Sequence, residues 1–208
     1  MSASCRVVAI SRSLGAGGEE AGRLAARELG FRYADEEIIV RAAKAAGVSP
    51  EKVSQAEMTP GLVARVLEGM ARHAVTPEGW AAAPLVIRPE TDNYEALIRR
   101  VIIETAREGD VVMVAHGASI PLAAMSDVLR VLVTASPDVR AERLAGGAWL
   151  SAAEAQKAVR DSDRQRREFL RRFYEVKEEL PTLYDIVVNT DTLTVEQSAR
   201  LIIATVRG

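Results

Sequence analysis

The run Arg6-Val7-Val8-Ala9-Ile10 passes through two residues into Ser13-Leu14-Gly15-Ala16-Gly17-Gly18, and this junction constrains the chain more than any other stretch. A short apolar run rich in β-branched residues and closed by turn formers reads as a buried strand. Beyond the glycines, Glu19–Leu29 sets Leu24, Ala25 and Leu29 on one side, carries acidic residues in its first turn and stops at Gly30, the pattern of a helix. A strand, a glycine-rich turn and a helix N-terminus in direct succession gather backbone N–H groups and the positive end of a helix dipole at one place, which makes an anion site. Gly15, Gly17 and Gly18 stand where a side chain would block a phosphate or forbid a positive φ.

The same reading extends along the chain. Phe31–Tyr33 is a second short strand, and Asp35 is placed to cap a helix through Ala46. Tyr94–Arg107 is a helix ended by Gly109, and Val111–Val114 and Leu129–Val133 are two buried strands. Pro137 falls at the first position of the helix Asp138–Leu144. Ser151-Ala152-Ala153-Glu154 is a capping box that opens a long Arg-rich helix toward Lys177. Asp185–Asn189 is a fifth strand, and Thr194-Val195-Glu196-Gln197 caps the terminal helix. Strands alternating with helices predict a single α/β domain: a mostly parallel five-stranded sheet flanked by helices through right-handed crossovers. Its core spans about 1–46 and 93–208. Residues 47–92, divided by five prolines and poor in large apolar side chains, are expected to be an inserted helical subdomain too small to hold a core alone.

Charge and composition narrow the partners. Lys+Arg 27 against Asp+Glu 29 gives a formal charge of −2, so no global basic field favours nucleic acid or an anionic membrane surface. Cys5 is the single cysteine and His73 and His116 are the two histidines, which excludes a zinc site and leaves no metal-ligand cluster legible. No apolar run approaches the ~20 residues of a membrane span, and the N-terminus lacks the signature of a secretory leader. The expectation is a soluble cytoplasmic protein whose partners are small molecules, with assembly into a homo-oligomer left open.

The glycine-rich turn departs from the complete phosphate-binding pattern G-x-x-x-x-G-K-[ST]. Laid on it, Arg12 takes the place of the first glycine, Gly18 that of the lysine and Glu19 that of the hydroxyl residue. A turn that merely packs a strand tightly against a helix satisfies the same residues. The four lysines, Lys44, Lys52, Lys157 and Lys177, all lie far from the turn in sequence, so Arg12 is the nearest cation.

ISRSLGAGGEEAGRLAARELGFRYADEEII resembles the cytidylate kinase-like family, a branch of the P-loop nucleoside monophosphate kinases in which a glycine-rich loop without the usual lysine is frequent. The resemblance continues through VVMVAHGASI, VLRVLVTASPDVRAERL, DSDRQRREFLRRFY and YDIVVNTDTLTVEQSARLII, and so covers nearly the whole chain apart from about 48–92. It implies a P-loop kinase-like fold in which Ser13, Leu14, Gly15, Ala16, Gly17, Gly18 and Glu19 hold the phosphates of ATP, with Mg²⁺. It implies an acceptor monophosphate near Asp35 and Arg41, and a lid over about 145–180 that brings Arg160 and Arg166, with Asp163, onto the transferred group. Two departures remove expected contacts to the acceptor: Ala115-His116 stands where the family usually has Gly-Arg, and Glu36 where it has a small hydroxyl residue.

Phosphoryl transfer asks for positioning and positive charge, which the planar arginine fork supplies well. Residues 160–172 hold six arginines against three acids. By helical spacing Arg160, Asp163, Arg164 and Arg167 share a face while Arg166 points elsewhere unless the helix breaks. The same run also reads as a solvated face laced with ion pairs. His116 follows a buried strand at the ligand-binding end of the expected sheet, where an imidazole could contact a phosphate or base, although a lone histidine is more often a structural hydrogen-bonding residue. Two functions stand: ATP-dependent phosphoryl transfer to CMP, dCMP or a related acceptor, or a nucleotide-binding regulatory module that kept the fold and lost the chemistry.

Overall fold

The computed structural model describes residues 5–47, 49–50, 94–114, 117–147 and 150–208. In chain order these form β1 (Val7–Arg12), α1 (Gly18–Leu29), β2 (Arg32–Ala34), α2 (Glu36–Ala46), α3 (Tyr94–Glu108), β3 (Val111–Val114), β4 (Val128–Thr134), α4 (Pro137–Gly147), α5 (Ala152–Tyr174), β5 (Ile186–Asn189) and α6 (Val195–Arg207). The insertion expected over 47–92 lies almost wholly outside the described residues.

All four strand pairings are parallel, and the sheet order is β2-β3-β1-β4-β5. The glycine-rich turn therefore leaves the central strand. Val7, Val8, Ala9 and Ile10 are no more than 1% exposed, because a strand covered on both faces has no solvent side on which to alternate. β1 runs two residues past the expected Ile10, because β4 continues to pair with it through Arg12 opposite Val133. The connection from β1 leads toward β2 and that from β4 toward β5, on opposite sides. Between their carboxyl ends the order reverses, which is where open α/β sheets bind ligands.

Helix ends follow the local chemistry. Gly30 closes α1 in the left-handed region at φ 70, its N–H donating to Ala26 O and Arg27 O. Complete capping boxes start α5 at Ser151 with Glu154 and α6 at Thr194 with Gln197. Two ends differ from expectation. α4 continues through Gly146-Gly147 instead of stopping at Leu144, because Ala141, Leu144 and Ala145 pack with Leu150, Ala155 and Val159 of the next segment in a small core of their own. α5 ends at Tyr174 instead of near Lys177, where Glu175 turns left-handed at φ 57 and Val176 N–H reaches back to Leu170 O.

The chain divides into two compact units, 1–35 with 102–208, and 36–101. In the first, Val8, Ile10, Val112, Val114, Val131 and Val133 of the sheet join Ala25 of α1 and Ile202 and Ile203 of α6 in one apolar cluster. Burying one such Val or Ile contributes about 1.5–3 kcal/mol. In the second, Ile38, Ile39, Ala42 and Ala43 of α2 and Ile98 and Val101 of α3 are buried. No described helix is long and apolar enough to cross a membrane.

Candidate functional site

Between β1 and α1 the chain makes a tight turn that faces its amides and its carbonyls in different directions. Ser13 N–H donates to Val133 O and Ala16 N–H to Ser13 O, while the Ser13 hydroxyl lies 3.2 Å from that of Thr134. Gly15 and Gly17 have φ of 78 and 79, a region open at little cost only to glycine. Four of the turn's carbonyls are occupied from outside. Arg12 O accepts from Arg166 (3.3 Å), Leu14 O from Arg140 (3.4 Å), Gly15 O from Arg143 (3.4 Å) and Ala16 O from the Thr190 hydroxyl (2.9 Å). Among the described residues no backbone acceptor meets the N–H groups of Leu14, Gly15, Gly17 and Gly18, and no side chain caps α1. A curved row of unmet amides at a helix N-terminus is a nest for an anion.

Arg12 and Glu19 stand at the mouth of this nest as an ion pair, Nε against Oε1. It is a contact of charges more than an aligned hydrogen bond, since the buried Arg12 Nε has no hydrogen-bond acceptor. Both side chains are about a quarter exposed, at 28% and 24%, so solvent and ligand can reach them.

Three further arginines reach the turn from the α4 and α5 side. Arg140, 3% exposed, donates through Nε to Ala135 O and through its two terminal nitrogens to Asp163, at 2.9 and 2.7 Å. Arg143 binds the hydroxyl and carbonyl of Thr190. Arg166 forks onto both carboxylate oxygens of Glu179, and Glu179 also accepts from the Tyr184 hydroxyl. Burial pushes Glu179 up, and the Arg166 fork with the Tyr184 hydroxyl outweighs it, leaving that carboxyl below its ordinary value. Burial raises the Tyr184 phenol, and the neighbouring Glu179 charge raises it further. Under Tyr184 lies a buried hydroxyl pair, Ser11 and Ser119, 3.0 Å apart.

The sequence-predicted residues therefore divide. Arg12, Asp163, Arg166 and the whole of Ser13–Glu19 come together around one turn. The face expected to unite Arg160, Asp163, Arg164 and Arg167 is split. Arg160 and Arg167 are exposed, Arg164 bridges Asp161, and both Asp163 oxygens are taken by Arg140. Arg166, expected off the face of Arg160, Arg164 and Arg167 on an unbroken helix, does lie off it and points inward to the turn. Asp35 directly follows β2, and its charge acts on Tyr33, whose phenol is raised by burial first and by Asp35 next. Arg41 belongs to the second unit, where it bridges Glu37 at 2.7 Å. His116 and Ala115 lie outside the described residues. Among the described residues no three His, Cys, Asp or Glu side chains converge as a metal site.

Arg140, Arg143, Thr190, Glu179 and Tyr184 were not singled out from the sequence. The Arg-x-x-Arg spacing at 140 and 143, in the first two turns of a helix that follows a strand, was the available signal. Nothing local marked Glu179 or Tyr184.

Ninety-seven solved chains match this one. A crystal structure of an uncharacterized protein from Eubacterium ventriosum superposes with a TM-score of 0.66 at 14% identity, covering 98% of this chain and 99% of that one. Shikimate kinase from Bacteroides thetaiotaomicron gives 0.53 at 16%, over 98% and 99%. A gluconokinase from Sinorhizobium meliloti gives 0.53 at 13%, over 98% and 93%. At such identities the likeness is one of fold, that of the P-loop kinases. No curated protein matches the chain. The profile of the cytidylate kinase-like family matches residues 7–192, a span that runs from the first residue of β1 past the end of β5 and takes in every residue of the nest, and the chain belongs to that family.

Proposed function

We propose that the protein is a nucleoside monophosphate kinase-like phosphotransferase that takes the phosphates of ATP in the Arg12–Glu19 turn and passes the terminal phosphoryl group to CMP, dCMP or a related acceptor. The observation that carries this is the division of the turn, with four carbonyls tied from outside by Arg166, Arg140, Arg143 and Thr190 and the amides of Leu14, Gly15, Gly17 and Gly18 left for an anion. Amides fixed in this way need no reorganisation when charge arrives, which favours a transition state in which charge shifts between phosphate oxygens. In the transfer, the bond from the terminal phosphorus to the bridging oxygen of the leaving diphosphate breaks as a bond forms to an acceptor phosphate oxygen. The chain's part is to orient these groups, to meet their charge with Arg12 and Arg166, and to exclude water as residues 145–180 close as a lid carrying Arg160. Asp35, Arg41 and His116 are assigned to the acceptor side. Mg²⁺ supplies charge to the triphosphate in reactions of this class. Among the described residues no dedicated site for it is formed, because Glu19 stands in place of the hydroxyl ligand and faces Arg12.

A second reading rests on that same pair: a nest whose mouth carries its own carboxylate fits a regulatory module that binds nucleotide without turnover. A coupled kinase assay with ATP and a panel of nucleoside monophosphates, run beside calorimetric nucleotide binding, separates the two. Turnover with one acceptor supports the transferase, binding without turnover supports the module, and the absence of binding removes both.

A further inference from the structure

Position 18 of this chain cannot carry a side chain, and what excludes it is Arg12. A Cβ on Gly18 would fall 2.5 Å from Arg12 Cβ, 3.1 Å from Arg12 Cγ and 3.3 Å from Val133 Cβ. Two non-bonded carbon atoms do not approach to 2.5 Å, and these neighbours belong to the paired ends of two central strands, so they cannot step aside. The volume from which a loop lysine would rise thus holds the stem of an arginine that enters from the strand before the turn. In G-x-x-x-x-G-K-[ST] the first position is glycine and the seventh lysine. Here the long cation stands at the first and glycine at the seventh.

We infer that Arg12 is the phosphate-facing cation of this loop in transposed form, its guanidinium taking the charge role of the missing lysine, and that Glu19 is the counter-ion a polyphosphate must displace to reach it. The inference rests on the reading of the turn as a polyphosphate site. Arg12 is anchored for such a task, since its backbone pairs with Val133 and its carbonyl accepts from Arg166. Its head is incompletely satisfied. Nε is buried without an aligned acceptor although Glu19 Oε1 touches it, and a buried donor left in that state gains more from a well-placed oxygen than a satisfied one does. Glu19 lies in the first turn of α1, beside the free amide of Gly18, so a phosphate oxygen that takes this amide meets Arg12 and competes with the carboxylate. The chain therefore gives up a fixed lysine for a cation whose charge is neutralised at rest.

The test is calorimetric titration of the full chain with ATP and, separately, with inorganic tripolyphosphate, which carries the phosphates without a base. Arg12→Gln and Arg12→Gly should weaken both ligands about tenfold or more, Arg12→Lys much less, and Glu19→Gln should tighten both by a few-fold. Gly18→Lys alone should lower the thermal midpoint, because it meets Arg12. The reciprocal exchange Arg12→Gly with Gly18→Lys should recover most of the affinity that Arg12→Gly loses. Parental affinity in Arg12→Gln, or an exchange variant no tighter than Arg12→Gly while folded by circular dichroism, overturns the transposition. Should the exchange variant not fold, Arg12→Lys matching Arg12→Gln has the same force. Weaker binding by Glu19→Gln overturns the counter-ion role. A parent that binds neither ligand defeats the polyphosphate reading itself, a result distinct from all of these.

Discussion

Arg140 gives both terminal nitrogens of its guanidinium to the two oxygens of Asp163, at 2.9 and 2.7 Å, with Arg140 itself 3% exposed. The same arginine reaches Ala135 O and Leu14 O. One side chain thus ties the start of α4, the glycine-rich turn and the middle of α5 to a single point. Asp163, nominated from the sequence for a part in catalysis, is in this structure the carboxylate that holds Arg140.

Removing one partner of a pair this deeply set leaves an uncompensated charge, which costs about 3 kcal/mol when burial is nearly complete. Asp163→Ala should lower stability by about that amount and Asp163→Asn by less, read as a fall in the urea midpoint at unchanged slope. An unmoved midpoint for both would mean that water satisfies Arg140 and that the tie is incidental.

Arg166 and Arg12 should matter to turnover more than to ground-state affinity for the acceptor. Loss of a charged donor that acts chiefly in the transition state lowers kcat by on the order of 10²–10³. Arg12→Ala and Arg166→Ala should show that loss in steady-state kinetics, and Arg164→Ala, an exposed neighbour paired with Asp161, should not. Because Arg166→Ala also strands Glu179, Arg166→Lys is the companion. Retained stability with lowered kcat marks a catalytic part, whereas parental kcat marks a purely structural clamp.

Asp185 sets a pH dependence. Its carboxylate accepts from the Arg130 guanidinium at 2.6 and 3.1 Å and from the Arg130 backbone N–H at 2.8 Å, and the guanidinium above all holds its pKa below the ordinary carboxylate value. A folded-state pKa below the unfolded one means that this stabilisation is present at neutral pH and is lost as the pH falls through the folded value. Asp185→Asn should be less stable than the parent at pH 7 by about 1 kcal/mol, allowing for the exposure of the pair. The gap should narrow below roughly pH 4. A gap that stays constant down to pH 2.5 in chemical denaturation would remove the ion pair as its cause.

Gly17→Ala should destabilise without touching any charge. Its φ of 79 strains an L residue, and the new Cβ would come within 3.0 Å of Val195 Cγ2 at the start of α6. A loss of about 1–2 kcal/mol is expected. Differential scanning calorimetry reads it directly, and an unchanged midpoint would mean that the turn relaxes to another geometry.

Closure of the lid should be visible as protection. Amide exchange across 150–172 should slow when ATP and a monophosphate are added together. Unchanged exchange there, with both nucleotides shown to be bound, would count against closure. The small core shared by Ala141, Ala155 and Val159 makes α4 and α5 one body, so their exchange should slow together and not in α5 alone.

What the sequence by itself determined is local: five strands, the helices between them, the caps at Ser151 and Thr194, and the glycine-rich turn behind the first strand. Each follows from contacts within about four residues, where periodicity, caps and turn formers act. Which arginines reach the turn was not legible in that way. Helical spacing gives the angle of a side chain about its own axis, so it grouped Arg160 with Asp163, but it does not tell which angle meets the rest of the protein. That was decided by packing over long separations. Arg166 finds the carbonyl of Arg12 across 154 positions, Arg140 finds Leu14 across 126, and Arg143 finds Gly15 across 128. Only when β4 lies beside β1 do α4 and α5 bring these guanidiniums to the turn, and only then do the carbonyls turn outward and the amides of Leu14, Gly15, Gly17 and Gly18 remain for an anion.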